Sequence, residues 1–252
     1  MMMVKRIIGF LTGVLLVAGC AKVSEEMGAL SKKNLDGYFT LVDEYDAIVT
    51  VKQKDDDFVY FQVDSATFVE PMFDYKYQGP ERLACHLKLY VPRDRTAPLP
   101  KGWWLGKVTW MEKLEKGKTE MPAFGGNGGW TGQDGTDGGT SPTNDPRTYG
   151  LEVLNDWLTT VQDGFFTLHY SAWWGDGSVP HNVVLLPGKT PFELNLRHFS
   201  NGDTPLKQAD ALIYFDLQDL LPQTEGHELS INWFTCDGKT AQKTYWYRSR
   251  TE

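Results

Sequence analysis

The sequence predicts an all-β chain, with a small N-terminal barrel followed by a C-terminal antiparallel β-sandwich. Three observations predict it. Apolar and polar residues alternate in short runs, Gly, Asn and Asp punctuate those runs at near-regular spacing, and no segment of useful length carries a helical apolar period.

The barrel comes first. "AIVTVKQKDDDFVYFQV" reads as two alternating runs joined by an Asp-rich turn, hence a hairpin. "RLACHLKLYV" alternates again and stops at Pro92. "GWWLGKVTWMEKLEKG" gives another extended run, and a segment near Tyr38 completes the set. Five short strands in roughly 80 residues suit a small barrel of the OB type. The composition then changes. Phe124 to Pro146 is nearly all Gly, Asp, Asn, Thr and Pro, and reads as a flexible linker or loop at the domain boundary.

More strands follow. "LEVLNDWL", "GFFTLHYSAWW", "HNVVLLPG", "PFELNLRHF" and "DALIYFDL" are separated by turn signals at Gly175 to Gly177, Asn201 to Asp203 and Gln218 to Pro222. In "HELSINWFTCDGKTAQKTYWY", Asp237-Gly238 is a type I′ hairpin signal. About seven strands at this spacing suit an antiparallel sandwich. The reading divides the chain into a signal at 1–19, a tether at 20–34, an OB-like barrel at 35–120, a Gly/Asp-rich linker or loop at 121–147 and a sandwich at 148–252.

The N-terminus sets the expected address. Lys5 and Arg6 precede an apolar run from Ile7 to Val17, then small residues, then Cys20. A spanning helix needs about 20 apolar residues, so this run is too short. It fits a secretion signal, and "LLVAGC" resembles the lipobox of bacterial lipoproteins. That resemblance implies cleavage before Cys20 and acylation of its thiol and new amino group. One acyl chain binds a membrane marginally, whereas two or three anchor it. Ala21 stands where an Asp would signal inner-membrane retention, so the expected location is the outer membrane, with its periplasmic or surface face open.

Removing 19 residues moves the formal charge from −8 to about −10. An acidic chain without a basic stripe has no footprint for nucleic acid. Cys85 and Cys236 fall in opposite halves. A bridge between them is possible in an exported protein, but Cys85 alternates with Leu83, Leu87 and Leu89 and reads as a buried free thiol.

The chain resembles the NigD-like lipoproteins of Gram-negative envelopes. The N-terminal likeness runs through "LDGYF", "IVTVK", "VYFQVD" and "GPERLACHLKLYV". The C-terminal likeness runs through "NDP", "LNDWL", Phe165 to Tyr170, "HNVVLL", "LRHFSNGD" and "YFDLQDL". The glycine-rich stretch is longer than the family's usual link. The resemblance implies an OB-like domain followed by a β-sandwich, an envelope location, and a bacteriocin-related or immunity-like role. It implies no reaction and no cofactor.

No catalytic signature is present: no G-x-S-x-G, H-E-x-x-H, Walker phosphate loop or Cys-x-x-Cys. His169 and His181 could meet on one hairpin and hold a metal; alternation points His169 outward, where a solvated pair is the commoner outcome. Asp55 to Asp57 and Asp134 to Gly139 offer oxygens for a cation but read as a turn and a loop. Asp43, Glu44 and Asp46 with Glu193, Asp210 or Asp216 could supply a glycosidase pair, although acids at strand ends are usually solvated. The expectation is no catalytic residue, no metal and no cofactor.

The tryptophans stand out. Trp103-Trp104 and Trp173-Trp174 are adjacent pairs. On a strand one member of each faces in and the other out. An outward Trp can stack on a sugar or anchor a protein, and it can equally be covered by the other domain. Trp130 within the glycine-rich stretch wants somewhere to dock. The reading is a non-enzymatic envelope lipoprotein, membrane-bound through Cys20, whose partner is an envelope protein, a peptide toxin or a glycan. The alternative is a surface carbohydrate-binding accessory protein that uses the exposed Trp residues.

Overall fold

A computed structural model describes residues 39–53, 59–64, 66–71, 81–93, 99–119 and 145–250. The signal, Cys20, the tether, Asp55 to Asp57, Trp130 and Asp134 to Gly139 lie outside the described residues.

Five strands close the barrel: β1 (Phe39–Gln53), β2 (Val59–Gln62), β3 (Phe68–Pro71), β4 (Glu81–Pro92) and β5 (Trp103–Lys113), in the order β1-β2-β3-β5-β4. β3 and β5 run parallel, and the other pairs are antiparallel. Closure leaves no free sheet edge, and a closed five-stranded barrel is the OB-type architecture expected. The expected segment near Tyr38 and the "AIVTVKQ" run are one strand, β1, bent by an irregularity between Leu41 and Asp43. The fifth strand is β3, whose four residues are too few to show alternation. Val49, Val51, Phe61, Val69, Leu83, Cys85 and Leu87 fill the interior. Cys85 and Cys236 are both free thiols. Burial pushes the Cys85 thiol up to about 12.

The chain leaves the barrel without a break in hydrogen bonding. Leu114 N–H donates to Arg82 C=O. β6 (Glu115–Lys116) then pairs in parallel with β12 (Lys207–Asp216). Gly117 N–H donates to Tyr214 C=O over 2.7 Å. A Cβ on Gly117 would lie 2.3 Å from the Phe215 ring, so this passage needs glycine. Residues 115–118 thus join the second layer system, within the range read as barrel.

The sandwich has two sheets. One holds β10 (Asn182–Pro187), β11 (Glu193–Phe199), β13 (His227–Phe234) and β14 (Thr240–Tyr247) in sequence order. The other runs β6-β12-β9-β7, with β7 (Leu151–Val153), β9 (Phe165–Trp174) and the short β8 (Thr160–Gln162) beside β9. Most pairs are antiparallel; β11 with β13 and β6 with β12 are parallel, because intervening chain crosses to the other sheet before each returns. Phe166, Leu168, Leu185, Leu194, Leu196, Phe215 and Ile231 fill the space between the sheets.

Two hairpins differ from expectation in an instructive way. At Asp237-Gly238 only Gly238 has positive φ, and Gly238 N–H donates to Thr235 C=O. That is a three-residue loop with a bulge, not a type I′ turn, because Thr235 N–H already donates to Lys239 C=O. A two-residue hairpin turn with both φ positive is formed instead by Asp163-Gly164, at 52° and 74°, between β8 and β9.

A third cluster joins the domains. Ile48 and Ala84 of the barrel, Leu114 of the connection, and Leu158, Phe165 and Tyr214 of the sandwich pack together. This layer covers the second face of β9, so Phe165 to Tyr170 is buried on both sides. Thr167 and His169, expected outward, are therefore inside, at 0% and 4% exposure.

Candidate functional site

The surface where barrel meets sandwich is lined by charge. Arg82 opens β4 on the strand face that carries Ala84, opposite the barrel interior. It is 1% exposed. Its Nη1 donates to Thr50 Oγ1 at 2.7 Å, and Nη2 donates across the domain boundary to Thr167 Oγ1 at 3.2 Å. Its Cζ lies 4.6 Å from the Phe165 ring centroid. Arg250 Cζ lies 4.1 Å from the same ring. A buried guanidinium over an aromatic face gains cation–π attraction that water would otherwise screen.

Arg82 lines a cleft of about 410 Å³, with Lys52 from β1, Lys116 from β6, and Tyr214, Asp216 and Arg250 from the sandwich. Arg250 Nη2 donates to both Asp216 oxygens, at 2.8 and 2.9 Å, and to Gln218. Lys52 and Lys116 form no ion pair among the described residues. Burial lowers Lys52, and the Arg250 charge adds to that. Burial also brings Arg82 down to about 10, against the pull of Asp163. Asp163 itself is pushed up to about 6, chiefly by burial. Gln62 Nε2 donates to Asp163 Oδ1 at 3.3 Å. Two atoms of this region, Arg82 Nε and Asp163 Oδ2, are buried with no hydrogen-bond partner among the described residues. Such orphans are uncommon in folded proteins and each costs about 1–3 kcal/mol.

A second concavity, of about 480 Å³, lies at the mouth of the barrel. Val91, Pro92, Leu99, Pro100, Trp103 and Trp104 line it. Trp104 packs on the barrel core, and Trp103 turns the other way. Trp103 stacks on Phe68 of β3 at 5.4 Å and leans on Tyr60 of β2 at 5.2 Å. Strands 2 and 3 are the face on which OB barrels take ligands. The expected split of the pair is therefore present, with the outward Trp in an aromatic cluster.

The other pair splits likewise. Trp174 packs on the sandwich core and its Nε1 donates to Ala209 C=O at 2.9 Å. Trp173 lies under Arg147, 5.4 Å from its Cζ. The most exposed tryptophans are others: Trp246 at 63%, with Trp110 and Trp157 near 40%.

The histidines regroup. His169 and His181 do not meet, because β9 and β10 belong to different sheets. His169 Nδ1 contacts Asp156 at 2.6 Å. His181 instead forms a chain: its Nε2 is 3.0 Å from Asp203 Oδ2, its Nδ1 is 2.9 Å from His198 Nε2, and His198 Nδ1 is 3.1 Å from Gly150 O. Trp174 stacks on His181 at 4.2 Å, and Gly175 N–H donates to the same Asp203 carboxylate. Burial pulls the His198 imidazole down to about 3 and lowers His181 against the opposing pull of Asp203.

The carboxylates weighed as a glycosidase pair take separate partners. Glu44 accepts from Lys88 at 2.7 Å, Asp46 contacts His86 at 2.9 Å, Glu193 accepts from Asn232 at 3.0 Å, and Asp216 is held by Arg250. No group of three or more His, Cys, Asp or Glu among the described residues is arranged to hold a metal. No helix among them is long and apolar enough to cross a membrane.

Comparison with known proteins places this architecture. The chain is similar to a putative toxin-related protein from Parabacteroides distasonis, with a TM-score of 0.57 and 18% identity over 82% of this chain and 94% of that one. It is similar to a protein of unknown function from Bacteroides vulgatus, with a TM-score of 0.52 and 15% identity over 81% and 91%. A NigD-like immunity protein from Bacteroides caccae aligns over 79% and 91% at 13% identity, with a TM-score of 0.44. These likenesses concern the fold. No curated protein matches the chain. Residues 142–247 match the family model of the NigD-like C-terminal beta sandwich domain. The C-terminal region is thus similar to the NigD-like C-terminal β-sandwich, the likeness that the residues implied.

Proposed function

We propose that this protein is a non-enzymatic binding lipoprotein of the cell envelope, anchored in the outer membrane through acylated Cys20. It takes a protein or peptide partner on its barrel. The observation that carries the reading is the groove at Trp103 and Trp104. The described residues that line it are apolar, and two are prolines. A rigid apolar groove with an aromatic rim suits side chains of a partner, since Trp anchors bury large area at small entropy cost. The bacteriocin and immunity connotation of the NigD-like name makes a peptide toxin the first partner to test.

A second reading is a glycan on the outward face of Trp103, next to Tyr60 and Phe68. A sugar also wants several hydrogen-bonding side chains around its hydroxyls, and among the described residues the groove lining offers no side-chain donor beyond the indole N–H groups of Trp103 and Trp104. The test places a photoreactive amino acid at Leu99 of the groove lining in living cells, leaving both tryptophans in place. A discrete crosslink to an envelope protein or a peptide supports the proposal. Quenching of Trp fluorescence by a glycan, lost in Trp103→Ala and without any protein crosslink, replaces it with the second reading.

A further inference from the structure

The Trp103 groove leaves the Arg82 cleft unexplained. We propose that this cleft is a binding site for a phosphate monoester group, seated on Arg82 and flanked by Lys52, Lys116 and Arg250.

Four observations converge. The first is charge. Lys52, Arg82, Lys116 and Arg250 are four cations, and among the described residues the carboxylates acting on them are Asp216 and Asp163. The surplus is two positive charges, in a chain whose formal charge is −8. A phosphate monoester is close to a dianion at neutral pH. The second is the orphan. Arg82 Nη1 and Nη2 each have a hydroxyl acceptor from a different domain, while Nε has none among the described residues. Nε is itself shielded from solvent, and a phosphate oxygen reaching this edge of the guanidinium would supply the acceptor that its N–H lacks.

The third is rigidity. Arg82 is fixed by Thr50, Thr167 and the Phe165 ring, so its orientation is set before any ligand arrives. A site prepared in this way avoids the ordering cost of binding. The fourth is space. At about 410 Å³ the cleft is of small-molecule size, and Phe165 and Tyr214 add aromatic surface to it for the body of the ester. A structural strut would need the guanidinium and its two threonines. It would not need Lys52 and Lys116 beside it, neither of them in an ion pair among the described residues.

The same phosphoryl chemistry could come from a free metabolite-sized ester or from a lipid headgroup. Calorimetry on the mature chain carrying Cys20→Ala, in buffer without detergent, separates them, with inorganic phosphate, a hexose phosphate and vesicles of phosphatidylcholine containing phosphatidic acid as probes. Saturable binding of the soluble esters assigns the site to free ligands. Saturable binding of the vesicles alone assigns it to a headgroup.

In either case Lys116→Gln weakens binding several-fold and Arg82→Met at least tenfold. Trp103→Ala leaves it unchanged, so failure of this site and failure of the barrel groove are distinguishable. Lys52→Gln and Lys116→Gln together keep the test decisive if Arg82→Met does not fold. Absence of saturable binding for all three probes at millimolar concentration overturns the proposal, as does binding that the double lysine variant leaves intact.

Discussion

Two buried polar centres sit at opposite functions in this molecule. The Asp203–His181–His198 chain lies at one end of the sandwich, and every ring nitrogen in it has a protein partner within 3.1 Å. The Arg82 centre lies between barrel and sandwich and, among the described residues, keeps an unused Nε, an unused Asp163 oxygen and two lysines without an ion pair around a cleft. The first is closed: its polar atoms satisfy one another and tie Gly150, Gly175 and the Asn201 turn region into one piece. The second is open. Burial alone does not distinguish structure from function; what remains unsatisfied after burial does.

If the histidine chain is structural, breaking it is costly. Asp203→Ala strips His181 Nε2 and the Gly175 N–H of their acceptor at once. Buried partners left alone in this way cost roughly 3 kcal/mol or more. Urea unfolding followed by far-ultraviolet circular dichroism should record a loss of that size, with the m-value unchanged. A loss under 1 kcal/mol would mean that the chain is loosely held and that the contrast between the two centres is false.

Acid gives the next largest effect. His198 titrates near 3 when folded and near 6.5 when unfolded. A lowered folded pKa means that the unfolded state takes up the proton first. Stability from this group is therefore complete above about pH 6.5 and is lost as pH falls toward 3. At pH 5 the loss from His198 alone is about 2 kcal/mol. His181, also lowered, acts in the same direction. The urea midpoint should fall between pH 7 and pH 5, and His198→Gln should flatten that slope while lowering stability at pH 7. An unchanged slope in His198→Gln would place the acid sensitivity elsewhere.

Much of this was legible in the residues, and the misses share one cause. Alternation in "RLACHLKLYV" placed Leu83, Cys85 and Leu87 inside the barrel, where they are. The same alternation put Arg82 and Ala84 on the outer face, beside His86 and Lys88. That face is wet at His86 and dry at Arg82, because the sandwich covers only the start of the strand. "AIVTV" and "FFTLHY" carried the missing signal: both are buried without interruption, as strands covered on two faces are. Reading His169 as outward ignored that run. Arg82 itself had no signal beyond its place at the head of β4. Its role depends on Thr167, 85 residues away, and on a turn at Asp163-Gly164 that strand spacing alone did not single out. The split of both Trp pairs followed from strand geometry and was readable from adjacency alone.

The smallest stability effect is the sharpest test of the contrast. Arg82→Met removes two hydrogen bonds and a cation–π contact. It also removes a charge whose burial is itself unfavourable, as its fall to about 10 records. Replacing buried ionic groups by apolar side chains of similar volume is often close to neutral, and the Thr50 and Thr167 hydroxyls accept from Arg82, so the change leaves acceptor lone pairs rather than a buried charge unpaired there. The expected cost is about 1 kcal/mol, well below that of Asp203→Ala. A residue that is fully buried yet cheap to replace is held in place for something other than stability. Were Arg82→Met to cost as much as Asp203→Ala, Arg82 would be the strut that locks barrel to sandwich, and the open centre would be a second closed one.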